Sequence, residues 1–226
     1  MLHTRIFTFN PLETNCVVLW RDGEKNCVVV DPGMSSPEGC RELTDFLRAD
    51  IKLSPAAILL THGHFDHVWG VEKLCAAFPG LKVYEHPEDK DIMERMTSGR
   101  FAEGFNFLHH DFPTIDLSDG DVLTIAGITF NVMHTPGHSP GSVCFYIKED
   151  NLLISGDTLF AGSIGRTDLA GGDYDVLMDS LLHKIMVLPG ETDVIAGHGH
   201  PTTIGREGMT NPFLEPFNDP LPDNYV

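Results

Sequence analysis

Thr61-His62-Gly63-His64-Phe65-Asp66-His67 sets four metal-capable side chains into seven residues, directly after the apolar run Ala57-Ile58-Leu59-Leu60. In extended backbone, residues i and i+2 face the same way, so His62 and His64 can clasp one ion, while the turn into a following helix sends Asp66 and His67 to the other side. Two adjacent metal positions follow. Three more polar signals each come immediately after an expected strand: His134-Thr135-Pro136-Gly137-His138 after Phe130 to Met133, Ser155-Gly156-Asp157 after Asn151 to Ile154, and Ala196-Gly197-His198 after Asp193 to Ile195. Strand ends of a packed sheet lie together, so these side chains can converge although they are far apart in sequence. Imidazole and carboxylate suit zinc, iron or manganese. With His138 and His198 there are five nitrogen ligands to divide between two ions, and Asp157, with two oxygens, is the natural bridge. Water held between two such ions loses a proton near neutral pH, and the metals polarise a carbonyl, which together make hydrolytic machinery.

Single histidines are more simply hydrogen-bonding loop residues, and His3, His86, His109, His110 and His183 are read that way. His134 and His200 also stay outside the ligand set, because only His138 is directly preceded by Pro136-Gly137, which fixes a tight loop.

Outward from these motifs, the chain opens with β-rich runs at Thr4 to Phe9, Cys16 to Trp20 and Cys27 to Val30, the last two joined by a hairpin-like turn at Arg21-Asp22-Gly23-Glu24. Ser36-Pro37-Glu38 supplies an N-cap, a first-turn proline and an acid, starting a helix over about 37 to 49. A strand at 56 to 60, a helix at 66 to 78 and a strand at 82 to 85 continue the alternation. The stretch from about Thr97 to Ser118 is aromatic and irregular, and its Phe101 to Phe112 part reads either as a lid or as a satellite core under a loop. Strands at about 121 to 125, 128 to 133, 143 to 147 and 152 to 154, an amphipathic helix at 175 to 188 and a strand at 193 to 195 complete the second half. Each half runs from paired strands to a helix, which predicts two halves stacked as α/β/β/α layers in a single domain over 1–226. The proline-bearing tail, about 205 to 226, is expected to dock as an extension without regular structure.

The 226 residues carry Lys+Arg 15 against Asp+Glu 33, a net charge of −18, which repels phosphate backbones and anionic bilayers and disfavours nucleic-acid and membrane partners. Five scattered cysteines without a C-x-x-C pair argue against a disulfide framework and for a reducing, cytoplasmic setting. Neither an apolar leader segment nor an apolar run long enough to span a bilayer is evident.

Through THGHFDH (61–67), HTPGHSPGS (134–142), ISGDTLF (154–160) and AGHG (196–199), the chain resembles the metallo-β-lactamase fold superfamily. Within it the chain is most similar to the short bacterial form of the glyoxalase II group (hydroxyacylglutathione hydrolase), matched also by VVDPG (29–33), GRTD (165–168) and TNPF (210–213). The resemblance implies an αββα fold with two divalent metal ions, zinc, or alternatively iron or manganese. It implies one ion on His62, His64 and His138, a second on Asp66, His67 and His198, and Asp157 bridging both. It further implies hydrolysis of a small-molecule thioester, S-lactoylglutathione, to lactate and glutathione by a metal-bridging hydroxide that Asp66 orients as the catalytic residue. Arg166 falls where that family has a substrate-binding lysine, and could offer a cation to a glutathione carboxylate. Two departures stand out: only 28 residues follow His198, too few for the long form's C-terminal helical domain, and Gly199-His200-Pro201-Thr202-Thr203 lacks the long form's tyrosine. Mononuclear iron persulfide dioxygenases share the same motifs and form the main alternative, with lactonase activity or a non-catalytic metal scaffold further off. A secreted β-lactamase would commonly carry cysteine at the place of Asp157.

Overall fold

Strand β1 (Leu2–Phe9) pairs antiparallel along its length with β2 (Thr14–Arg21), which turns tightly into β3 (Asn26–Val30). The computed structural model describes residues 1–96 and 112–214. Beyond β3 the sheet becomes parallel, through β4 (Ser54–Leu59), β5 (Lys82–Glu85) and β6 (Thr114–Asp116), six strands in sequence order. The second sheet is built from β7 (Val122–Ile125), β8 (Ile128–His134), β9 (Val143–Ile147), β10 (Leu152–Gly156), β13 (Asp193–Ala196) and β14 (Thr202–Thr203), in the order β14-β13-β10-β9-β8-β7. All its pairings are antiparallel except β10 with β13. A two-stranded ribbon, β11 (Leu159–Phe160) with β12 (Ser163–Ile164), stands beside it.

Alternation along the strands sorts the apolar residues into three cores. Val17, Leu19, Val28, Val30 and Leu59 of the first sheet meet Phe130, Val132, Phe145, Ile147 and Ile154 of the second between the sheets. On the outer face of the first sheet, Cys16, Val18, Cys27, Val29 and Ile58 pack on Leu43 and Leu47 from helix α1 (Pro37–Asp45) and the π-helical turn after it, and on Leu74 from α3 (Val71–Ala77). On the outer face of the second, Cys144, Tyr146, Leu153 and Val194 pack on Leu177, Leu181 and Ile185 from α5 (Tyr174–Ser180) and its π-helical extension, and on Ile204 of α6 (Ile204–Thr210). Strands buried on both faces read as continuous apolar runs. The order is helix, sheet, sheet, helix, as the sequence predicts.

The local differences have physical causes. The helix expected over 66–78 is two helices, α2 (Phe65–Val68) and α3, because the Gly70 amide leaves the ladder to donate to the Pro32 carbonyl at 2.7 Å. Helix α4 (Lys90–Met96) and strand β6 lie in a region without a clear sequence period; β6 is a three-residue edge strand held by its register with β5. Ile204–Thr210 is helical, capped by the Thr203 side chain, where an extension without regular structure is expected. The aromatic stretch read as lid or satellite core lies outside the described residues except for Phe112, which packs against the outer core of the first sheet. Residues 215–226 of the tail also lie outside them. Among the described residues no helix is long and apolar enough to cross a membrane.

Candidate metal centre

β3, β4, β8, β10 and β13 all end on one side of the sandwich, and the loops after them carry the polar side chains. The sheets are stitched together there. The Asn15 amide donates to Gly197 O at 2.7 Å, its side chain donates to Ala196 O and Gly199 O, and Val143 N donates to Thr61 O at 2.8 Å. His64 caps α2 in extended backbone, which leaves Asp66 and His67 in the first turn and turned inward.

The structure brings all seven expected residues into one cluster. His62, His64 and His138 form one group, Asp66, His67 and His198 another, and His62, His67 and Asp157 a third between them; within each group the ligand-type atoms lie within 4.8 Å of one another. His138 Nε2 is 2.8 Å from His64 Nδ1 and 3.5 Å from Asp157 Oδ2. His67 Nε2 stands 3.2 Å from His198 Nε2 and 3.4 Å from both Asp66 Oδ2 and Asp157 Oδ1. His198 Nε2 is 3.4 Å from Asp66 Oδ2 and 3.5 Å from Asp157 Oδ2. Gly197 makes this closeness possible, since a Cβ there would run into Asp157 Oδ1 and the His67 ring.

Three buried polar atoms in this cluster have no hydrogen-bond partner: His62 Nε2, His64 Nε2 and Asp157 Oδ1. Such atoms cost about 1–3 kcal/mol each when left unsatisfied, and divalent cations held among these side chains would satisfy them. The donor set therefore fits divalent metal binding. Electrostatics divide the cluster in two. Burial, reinforced by neighbouring imidazoles, pushes His62 well down and His64 down to about 3, so both are neutral at pH 7. Burial opposes protonation of His67 and His198 as well, but Asp66 and Asp157 override it and raise them to about 9 and about 11. Burial alone would raise the Asp66 and Asp157 carboxyls; His67 beside them lowers both below the usual range.

Side chains outside the expected ligand set hold these residues in place. Asp31, buried at the end of β3, accepts from Thr61 N and Thr61 Oγ1 and pairs with His67 Nδ1 at 2.9 Å, which turns His67 Nε2 inward. Asp89 accepts from Gly63 N at 2.8 Å, Ser139 Oγ at 2.7 Å and Gly141 N at 2.6 Å, tying together the two loops that present His62, His64 and His138. Thr14 Oγ1 donates to Asp66 Oδ2 at 2.7 Å, while His138 Nδ1 and His198 Nδ1 reach the carbonyls of Arg166 and Leu12. Asp31 could have been flagged, because it too directly follows a strand; nothing in the sequence marks Asp89. His134 lies apart, stacked on His86 with ring centroids 4.0 Å apart.

A cavity of about 660 Å³ opens onto the cluster, lined by His64, Asp66, His138, Asp157 and His198 together with apolar residues such as Phe65 and Phe160. Arg166 stands on its wall with its guanidinium already paired to Asp168. Metal-capable groups lining a largely apolar cavity describe a hydrolytic centre.

The chain belongs to the metallo-β-lactamase superfamily, whose profile matches residues 9–200, and it is a metallo-hydrolase of that class with the metallo-β-lactamase fold. Among curated proteins it is 41% identical over 216 residues to an uncharacterized protein of Mycobacterium leprae (92% of this chain, 97% of that one). It is 34% identical over 217 residues to hydroxyacylglutathione hydrolase GloC of Haemophilus influenzae (94% and 98%). Of solved structures, the BLEG-1 B3 metallo-β-lactamase superposes with a TM-score of 0.83 at 40% identity, covering 95% of this chain and 99% of that one.

Proposed function

We propose that this protein is a binuclear hydrolase that cleaves a small-molecule thioester, S-lactoylglutathione being the example, into a hydroxy acid and a thiol. The observation that carries this is the double cluster with its orphaned His62, His64 and Asp157 atoms, opening onto a substrate-sized cavity. His62, His64 and His138 would hold one divalent ion, Asp66, His67 and His198 the second, and Asp157 would bridge them. The ions would be zinc, with iron or manganese as alternatives. When bound, such a pair lowers the pKa of water toward neutrality and polarises an acyl carbonyl. Asp66, anchored by Thr14, is the catalytic residue that orients the attacking water. Phe65, Phe160 and Ile164 line the cavity and would pack against an apolar part of the substrate. Seven ligands over two ions leave coordination open, unlike a structural zinc site closed by four protein ligands. The likeness to hydroxyacylglutathione hydrolase GloC supports the thioester, and a 40%-identical neighbour solved in a di-iron-bound form supports two ions and keeps iron in view. The charge of −18 favours a small molecule over nucleic acid or membrane.

The test is made on one purified sample: metal per chain by elemental analysis, S-lactoylglutathione hydrolysis, and persulfide-dependent oxygen uptake. Two metals with hydrolysis are expected. One iron per chain, with oxygen consumption and no hydrolysis, would replace this reading with a mononuclear iron persulfide dioxygenase.

A further inference from the structure

The turn from β1 into β2, Asn10-Pro11-Leu12-Glu13, lies against the metal cluster. It is closed by Glu13 N donating to Asn10 O at 3.1 Å, and Asn10 and Glu13 both hold left-handed backbone at φ 58°. Asparagine is one of the few L residues that accept this conformation at low cost. Its side chain bonds in two directions. Asn10 Oδ1 accepts from Leu12 N at 2.9 Å, and Nδ2 donates to Gly33 O and to Asp66 O, each at 3.0 Å. The Leu12 carbonyl in turn accepts from His198 Nδ1 at 2.9 Å, which leaves His198 Nε2 facing Asp66 and Asp157.

One carboxamide therefore runs from the main chain of Asp66 to the residue whose carbonyl orients His198. Those are two of the three members of the group Asp66, His67, His198, and the third is held separately by Asp31. The contact is close, since a Cβ on Gly33 would collide with Asp66 O and crowd Asn10 Nδ2, so the turn, the loop after β3 and the start of α2 meet without slack. The group His62, His64, His138 is fixed from elsewhere, by Asp89 and by the Arg166 carbonyl. Asn10 itself is half-buried in a turn, so its bonds can be removed without opening a core.

We propose that Asn10 is a positioning residue for the Asp66–His67–His198 half of the centre, its carboxamide setting the spacing between Asp66 and His198 on which uptake of one ion of the pair depends. The proposal rests on the two-ion reading above. It is tested by titrating the metal-stripped full chain with zinc against a chromophoric chelator. The native protein is expected to take up two zinc ions with separate affinities. Asn10→Gly keeps the left-handed backbone unstrained and removes only the side chain. In it one affinity falls about tenfold, the low end of what losing a ligand's hydrogen-bonded support costs, while the other holds and shows that the variant is folded. His198→Ala identifies the half: there the same ion is already lost, and adding Asn10→Gly brings no further loss. Equal weakening of both ions, affinities that Asn10→Gly leaves unmoved, or a further loss on top of His198→Ala overturns the inference while the two-ion reading stands. A native chain that takes up a single ion overturns both.

Discussion

His67 is the most constrained side chain of the centre, fully buried with Asp31 on Nδ1 and with Asp66, Asp157 and His198 around Nε2. Asp31 sets which nitrogen faces inward. Asp31→Asn keeps the shape but replaces an acceptor oxygen with an amide, and metal affinity is expected to fall about 10–100-fold, read by competition against a chromophoric chelator. Unchanged affinity would mean that packing alone fixes the ring. Protons also compete at this half of the site. His67 and His198 are raised to about 9 and about 11, so at neutral pH an entering cation must displace their protons. Apparent metal affinity is therefore expected to rise from pH 6 to pH 8, and a flat profile would contradict these protonation states. For the metal-free protein the sign is opposite. Raised imidazoles contribute stability that is fully present below about pH 6.5, the unfolded value, and is lost as pH rises through about 9 and about 11.

At the scale of elements, the seven clustered metal-capable residues were legible because each follows a strand that is itself legible. Ala57-Ile58-Leu59-Leu60 and Val28-Val29-Val30 are apolar runs buried on both faces, and strand ends are where a layered sheet gathers side chains. Helix α4 and strand β6 escaped because neither carries a period of its own; both exist through what they pack against. Asp89, in the helical turn just before α4, is the functional consequence. Its three accepted bonds join the loops of β4 and β8. Removing a buried acceptor strands its donors at about 1–3 kcal/mol each. Asp89→Ala is thus expected to destabilise by about 2–4 kcal/mol, with activity falling further than the folded fraction. Urea unfolding beside a rate assay separates the two effects, and a loss of activity that merely tracks unfolding would mean that the loops keep their geometry without it.

In the whole molecule, the described residues pack into three apolar cores, and the candidate metal cluster lies on the loops where the strands of the two sheets end. Chelation is therefore expected to abolish activity while far-UV circular dichroism at 25 °C stays native. A ligand present at about 100–1,000 times its Kd adds roughly 3–4 kcal/mol, so stripping it lowers Tm by about 5–15 °C in a chain of this size. Complete unfolding on chelation would instead mark a scaffold whose metal holds the fold. The sequence by itself determined the layer order and which seven metal-capable side chains cluster, because strand alternation, cap signals and the spacing of THGHFDH are local properties that no neighbour has to supply. Only the tertiary structure decided that Asp31 and Asp89 hold those side chains in place. Hydrogen bonds between loops far apart in sequence depend on where the two sheets place them, and a residue's type does not record which distant backbone it will meet.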